Sequence, residues 1–168
     1  MSRGPLWRVT SDHTLLYVTG EFTKGIAEAI EQSLATTRSV RIVVFDSPGG
    51  DIEEALRIGR DIKQIGLATG VSKECSSACT YSFVAGRERI LLRGGQLGFH
   101  ACQKSVWFVG CENQKYSNYL AASGIDEAFI RRALSVAPPD VWYPRVEELL
   151  AAHVVTRTRV DGSESGGN

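Results

Sequence analysis

Hydrophobic and polar positions follow different periods in successive segments of the chain. Residues 6–10, 14–19 and 40–45 are short runs rich in aliphatic and β-branched residues, which is typical of strands. Over residues 23–35 the apolar positions recur at helical spacing, which predicts a helix. The run at 40–45 is almost continuously apolar, and this favours a strand buried on both faces of a parallel sheet.

The alternation continues after a Pro-Gly-Gly turn at residues 48–50. After the turn, apolar residues line one face of a predicted helix. Gly66 is predicted to end that helix as its C-cap. The later elements are predicted as a strand at 67–72, a small-residue helix at 76–85, strands at 89–92 and 96–101, helices at 112–122, 126–135 and 146–152, and a strand at 154–155. Strands that alternate with helices predict an α/β domain with right-handed crossovers.

The composition is that of one globular domain. With 168 residues, 43% of them hydrophobic, the chain is long enough to bury a core, and we expect a single domain over residues 1–160. Residues 161–168 are rich in Gly and Ser and are predicted to be a disordered tail. Basic and acidic residues number 19 each, so the formal net charge is zero and no nucleic acid or anionic membrane is expected as a partner.

The cysteines and the N-terminus give opposite indications of the compartment. The even count of four cysteines favours disulfides and an oxidising environment, such as the periplasm or the cell envelope. The first residues lack the apolar stretch of a secretory signal, and no run approaches the ~20 apolar residues of a membrane span. We therefore expect either a cytoplasmic protein with free thiols or the loss of a leader or anchor ahead of Met1. Membrane association would require such a segment.

Two disulfide pairings are open. Cys75 with Cys79 or Cys102 with Cys111 could pair, and we prefer Cys102–Cys111 because the intervening loop contains a glycine and can close like a hairpin. The alternative is a zinc site built from Cys75, Cys79, His100 and Cys102, whose spacings suit zinc ligands. A metal on His100 would prevent that residue from acting as a base, so we expect no metal and no cofactor.

Three short motifs contain residue types that acyl-transfer chemistry uses. Residues 47–50, Ser-Pro-Gly-Gly, follow a buried strand, and paired glycines allow a close backbone approach to a ligand. Residues 75–79, Cys-Ser-Ser-Ala-Cys, lie at a strand-to-helix junction, where a serine hydroxyl and the next N–H would be neighbours. Ser76 could instead be only a helix N-cap. Residues 98–100, Gly-Phe-His, put a histidine near a strand end, although a single histidine is more often structural.

The order and spacing of these motifs resemble the proteolytic subunit of the Clp protease and its relatives in the crotonase superfamily. The matching residues are the run 43–50, Ala55 in the next helix, Ser77 ahead of residues 85–86, and His100. Residues 85–86 are Ala-Gly, and aligning them with the family's Ala-Gly makes Ser77, rather than its neighbour, the nucleophile. The resemblance covers roughly residues 14–102.

A closer likeness is to a group of predicted periplasmic Clp-protease-like proteins of bacteria. It rests on residues 75–79, residues 98–100 and a C-terminal segment, Trp-Tyr-Pro at 142–144 followed by Glu-Leu-Leu at 148–150. This likeness implies a location in the periplasm or cell envelope.

The resemblance implies a fold and a mechanism. The fold is α/β of the Clp-protease/crotonase type, with repeated β-β-α units and a mostly parallel core sheet. The mechanism is acyl transfer, in which Ser77 Oγ attacks a carbonyl while His100 takes up its proton and later returns it. The backbone N–H groups of Gly50 and Ala78 would bind the oxyanion.

Further site residues follow from the same resemblance. Gly49 and Asp51, on either side of the oxyanion glycine, are expected to bind substrate. The family carries an acidic residue well beyond the histidine, and Asp140 is the candidate for this third catalytic position. Asp126 is the second choice, although it lies where a helix N-terminus is predicted.

The predicted function is that of a serine hydrolase, a peptidase by resemblance, which acts on a peptide or protein substrate and forms a homo-oligomer. The alternative is a binding or scaffold protein of the same fold that has lost turnover. Crotonase-like chemistry on an acyl-CoA thioester is disfavoured, because those enzymes do not need the pair of Ser77 and His100.

Overall fold

Strands and helices alternate through the part of the chain that the computed structural model describes, residues 6–102 and 113–159. The strands are β1 (Leu6–Val9), β2 (Leu15–Thr19), β3 (Ile42–Ser47), β4 (Ala68–Ser76), β5 (Arg89–Leu92), β6 (Gln96–Gly98) and β7 (Arg157–Arg159). The helices are α1 (Ile26–Thr36), α2 (Ile52–Ile65), α3 (Cys79–Phe83), α4 (Asn113–Ala122), α5 (Glu127–Ala133) and α6 (Val146–Ala151). The tail predicted at 161–168 lies outside the described residues.

The described strands form one mostly parallel sheet. Its order is β1-β2-β3-β4-β5-β7, and β6 pairs with the carboxyl end of β4. Among the described strands β1 alone runs antiparallel to its neighbour, β2. The predicted α/β fold with a mostly parallel core sheet is confirmed.

The core follows from the apolar patterns of the sequence. β3 lies between β2 and β4, and its residues Val43, Val44 and Phe45 are buried, as predicted for a strand covered on both faces. The helices α1 and α2 each turn a buried apolar face towards the sheet. Gly66 ends α2 with a φ of 79°, which confirms the predicted C-cap.

Several element boundaries differ from the predictions. The strand predicted at 96–101 ends at Gly98, and two further differences concern the serine motif. β4 continues to Ser76 instead of ending at residue 72, because its polar end gains β6 as a second parallel partner. The following helix is therefore short, Cys79–Phe83, and Ser76 stays in the strand. The last strand is β7 rather than residues 154–155, since the N–H groups of Val154 and Val155 both bond back to Leu149 O at the end of α6.

Candidate active site

The three chemical motifs meet at one edge of the sheet. They follow β3, β4 and β6 in turn, and because these strands are parallel, their carboxyl ends lie side by side. Ser47 at the end of β3 pairs with Cys75, and Ser76 at the end of β4 pairs with Gly98. Loops outside the carboxyl ends of parallel strands are the usual position of a ligand site in an open α/β sheet.

The Gly-Gly turn packs directly on the serine turn. Gly49 has a φ of +100°, and a Cβ at this position would lie 2.7 Å from Ser76 O, 2.8 Å from Ala78 N and 2.9 Å from Ser77 Cβ. No side chain fits in that space. Glycine therefore allows a close backbone approach to the serine turn, whereas the approach predicted from the sequence was to a ligand.

Ser77 occupies a sharp turn between β4 and α3. Its φ of +54° is in the left-handed region, which costs a residue with a side chain about 1–2 kcal/mol. The turn is held by the Ser77 N–H, which donates to Gly98 O at 3.0 Å, and by Thr80, whose hydroxyl donates to Ser77 O at 2.7 Å. Such a turn separates the residue from both the strand and the helix, and the Ser77 side chain is half-buried.

The two adjacent serines have different surroundings. The Ser76 side chain is buried, and its Oγ lies 2.9 Å from Glu74 Oε1 and 3.2 Å from Pro48 O. Within the described residues, Ser77 Oγ has no hydrogen-bond partner. Ser76 is not the N-cap of α3, since that position is Ala78. The hydroxyl of Ser76 is thus hydrogen-bonded within the protein, whereas that of Ser77 is not hydrogen-bonded to any described residue.

The backbone N–H groups of Gly50 and Ala78 have no acceptor among the described residues. Gly50 has a φ of +127° and forms an isolated bridge to Phe22, in which Phe22 N donates to Gly49 O and Asp51 N donates to Phe22 O. These bonds fix the turn and leave the Gly50 N–H unused. An oxyanion hole requires unpaired N–H donors of this kind close to a nucleophile.

The imidazole of His100 is oriented by the backbone. Nδ1 lies 2.6 Å from Ala101 O, and because a carbonyl only accepts, Nδ1 carries the proton in this contact. In the neutral ring Nε2 then has its lone pair free, as a general base requires. The structure places Ser77 and His100 at adjacent strand ends, and in the described residues no hydrogen bond joins their side chains.

Asp140 lies on a loop that is hydrogen-bonded to the residues before and after His100. Phe99 exchanges two hydrogen bonds of 2.8 Å with Trp142, and the Ala101 N–H donates to Val136 O at 2.7 Å. Asp140 is exposed between these two attachments. No hydrogen bond from its carboxylate to His100 is present in the described residues.

The other two acidic candidates act as helix caps. Asp126 is the N-cap of α5, and its carboxylate accepts the Phe129 N–H at 3.0 Å. Asp51 is the N-cap of α2, and its carboxylate accepts the N–H groups of Glu53 and Glu54. Both carboxylates satisfy backbone donors that would otherwise be unpaired at a helix N-terminus.

A hydrogen-bond network joins the C-terminal segment to the serine turn. Tyr143 Oη donates to Glu74 Oε1 at 2.7 Å, and the same oxygen accepts from the Ser76 hydroxyl. Burial first, and then the bond to Glu74, raises the pKa of Tyr143 above its usual value. A Cβ at Gly98 would lie 2.7 Å from Tyr143 Cε1, so the tyrosine packs directly over β6.

A disulfide joins Cys75 and Cys79, on either side of Ser77 and Ala78. The bridge removes both thiolates from the alternative zinc set, and the described residues contain no group of three potential metal ligands. Our preferred pairing, Cys102–Cys111, stays a prediction, because Cys111 lies outside the described residues.

No family model matches this chain, and no curated protein matches it. Among solved structures, a mutant of ClpP1 from Listeria monocytogenes matches with a TM-score of 0.74 at 17% sequence identity. The match covers 88% of this chain and 92% of that chain. The chain has the Clp-protease fold. At this level of identity the similarity concerns the fold, and the chemistry depends on this chain's own residues.

The Cys75–Cys79 bridge is one of the two pairings that the sequence left open, although the other was preferred, and the Cys-x₃-Cys spacing around Ser77 is its signal. Sequence reasoning missed two features of the site, the Glu74–Tyr143 contact and the use of Ala101 O to orient His100. Both depend on loop conformations that carry no local pattern. None of the described helices is long and apolar enough to cross a membrane.

Proposed function

We propose that this chain is a serine hydrolase, specifically a peptidase, with Ser77 as its nucleophile. The observation that carries the proposal is the contrast between the two serines. Ser76 is buried and hydrogen-bonded, whereas Ser77 stands on a left-handed turn with a hydroxyl that has no partner in the described residues. A strained turn that exposes a serine beside unpaired N–H groups is an arrangement that acyl transfer uses.

The proposed reaction begins when Ser77 Oγ attacks the substrate carbonyl while His100 Nε2 takes the hydroxyl proton. Nδ1 stays hydrogen-bonded to Ala101 O, which keeps the ring in the tautomer that can accept this proton. The imidazolium then gives the proton to the departing amine, and the acyl group remains on Ser77. Water, deprotonated by the same nitrogen, releases the acid and restores the serine.

The oxyanion of the tetrahedral intermediate is assigned to the N–H groups of Gly50 and Ala78. Support comes from the absence of any other acceptor for these donors in the described residues. The contact between Gly49 and the Ala78 backbone nitrogen brings the two turns together. Gly49 and Asp51 stay in the proposal as neighbours of bound substrate. Because the Asp51 carboxylate caps α2, this residue would contact substrate through its backbone.

Asp140 is proposed as the third catalytic residue. The loop that carries it is fixed to Phe99 and Ala101, the residues on both sides of His100. In this proposed role the Asp140 carboxylate would accept the hydrogen of His100 Nδ1 in place of Ala101 O. The carboxylate would then stabilise the imidazolium that forms when Ser77 loses its proton.

The substrate is proposed to be a peptide or protein, and the functional form a homo-oligomer, as the resemblance implies. We also propose that the chain belongs to the periplasmic Clp-protease-like group of bacteria. The Cys75–Cys79 disulfide supports an oxidising compartment, since such bridges rarely persist in the cytosol.

A binding or scaffold protein without turnover is the second candidate. The observation that favours it is the lack of a hydrogen bond between the side chains of Ser77 and His100 in the described residues. A fluorophosphonate probe distinguishes the two, because it phosphonylates only an activated serine. We expect one equivalent of probe per chain and slower labelling when a peptide competes. A folded protein that binds peptide and takes up no probe would contradict the hydrolase and support the binding module.

A further inference from the structure

The Cys75–Cys79 disulfide closes the same short turn that presents Ser77. Cys75 is the second-last residue of β4 and Cys79 is the first residue of α3. Their Cα atoms are 5.3 Å apart, whereas four extended steps of chain would span about 13 Å. The bridge therefore holds the chain in a tight reversal, with Ser77 at its centre.

The local backbone conformation and the following helix do little to keep the turn in this conformation. Ser77 has a φ of +54°, a conformation that persists for a residue with a side chain only where its surroundings impose it. The helix that follows spans only Cys79–Phe83 and has no side-chain N-cap, so it adds little rigidity of its own. Apart from the bridge, Ser77 is held by the bonds described above from its N–H and from Thr80, and by the packing of Gly49 on the turn.

We propose that the Cys75–Cys79 disulfide is a positioning element for the nucleophile, so that hydrolysis at this site requires the oxidised chain. The inference rests on the proposed function of Ser77. Without the bridge, the end of β4 and the start of α3 can separate, and Ser77 can relax to an ordinary backbone conformation. Relaxation changes the direction of Oγ and of the Ala78 N–H together, because both groups lie inside the five-residue turn. Nucleophile and oxyanion donor then lose their common geometry.

Because the bridge is buried, its loss is expected to change only the conformation of the turn. Both cysteines are fully buried in the core cluster. A buried free cysteine behaves as a small hydrophobic residue, so the reduced or alanine-substituted side chains can still pack there. The strands and helices around the turn are thus expected to remain folded when the bridge is absent.

The test compares the wild-type chain with the double variant Cys75→Ala/Cys79→Ala, each with and without a phosphine reductant. The phosphine turns the disulfide into two thiols and is itself oxidised to the phosphine oxide with oxygen from water. The double variant is the matched control, because any effect of the reductant through other cysteines also appears there. Two rates are measured: fluorophosphonate labelling, and hydrogen exchange of the Ser77 amide relative to that of Val71 in the middle of β4.

We expect the folded double variant to exchange the Ser77 amide at least 10-fold faster, with exchange at Val71 unchanged, and to react with the probe at least 10-fold more slowly. Once a thiol count shows that the buried bridge has been opened, the reduced wild type should show both changes, and the reductant should add nothing in the variant. Unchanged exchange at Ser77, or unchanged labelling of a protein that the probe does label, would overturn the positioning role and leave the proposed function standing.

The exchange measurement separates this inference from the proposed function. If the oxidised wild type takes up no probe, the hydrolase is contradicted, while faster exchange at Ser77 would still show that the bridge holds the turn. If both the variant and the reduced wild type unfold completely, the bridge stabilises the whole domain and not the turn specifically, and the positioning role is wrong.

Discussion

Gly49 packs so closely on Ala78 that a Cβ on the glycine would lie 2.8 Å from the alanine's backbone nitrogen. The contact joins the turn after β3 to the turn after β4. It therefore fixes the relative positions of the two N–H groups proposed for the oxyanion hole, those of Gly50 and Ala78.

Gly50→Ala should reduce both labelling and stability. The new Cβ would collide with Phe22 O, so the turn must shift and the Gly50 N–H must move with it. Loss of one oxyanion donor typically costs about 10²–10³ in rate. Gly25→Ala is the matched control, because Gly25 also has a positive φ, of 97°, and has open space around it. Thermal unfolding and probe labelling are measured for both variants. Equal labelling of both would remove Gly50 from the oxyanion hole.

Tyr143→Phe should lower the free energy of unfolding by about 1 kcal/mol, because it removes a hydrogen bond to the Glu74 carboxylate. Burial and this bond raise the pKa of Tyr143, so the folded pKa lies above the unfolded value. The contribution is therefore complete below pH ~10 and is lost as the pH rises through the raised pKa. Tyr17→Phe is the control, since no hydrogen bond of the Tyr17 hydroxyl is present in the described residues. A stability difference between Tyr143→Phe and wild type that does not shrink above pH 10 would contradict the assignment.

Asp140→Asn should slow labelling of Ser77 by about 10²-fold, within the range that general acid–base groups contribute, and leave thermal unfolding nearly unchanged. Asp126→Ala should do the reverse. It removes the N-cap of α5 and costs about 0.5–2 kcal/mol, while labelling of Ser77 persists. If Asp140→Asn is labelled at the wild-type rate, the backbone carbonyl of Ala101 is sufficient to orient His100, and the third catalytic residue is not Asp140.

The strands of the sheet could be predicted from the sequence because buried strands leave an apolar pattern in it. The apolar run that became β3 has its residues buried on both faces, and this leaves a continuous pattern that needs no knowledge of distant contacts. β4 was predicted too short because Lys73 and Glu74 are polar and partly or fully exposed, although their backbone continues the strand. The pairing of Glu74 with Gln96 that extends β4 is a tertiary contact, which local residue patterns do not report.

The sequence predicted which three motifs come together, but not which partners their residues contact. The order of the Gly-Gly turn, Ser77 and His100 was enough to bring them to one sheet edge, since parallel strands align their carboxyl ends. The partners of these residues were not predictable. The bond of His100 to Ala101 O and the approach of Tyr143 to Glu74 depend on loop conformations fixed only in the folded chain.

The central claim, that Ser77 is an activated nucleophile, is tested most directly by mapping the fluorophosphonate adduct in three proteins. These are the wild type and the variants Ser77→Ala and Ser76→Ala, each verified to be folded by thermal unfolding. We expect the adduct on Ser77 in the wild type, its complete loss in Ser77→Ala, and labelling within a few-fold of wild type in Ser76→Ala, whose hydroxyl serves the Glu74 network. An adduct that persists in Ser77→Ala, or equal loss in both folded variants, would contradict the account.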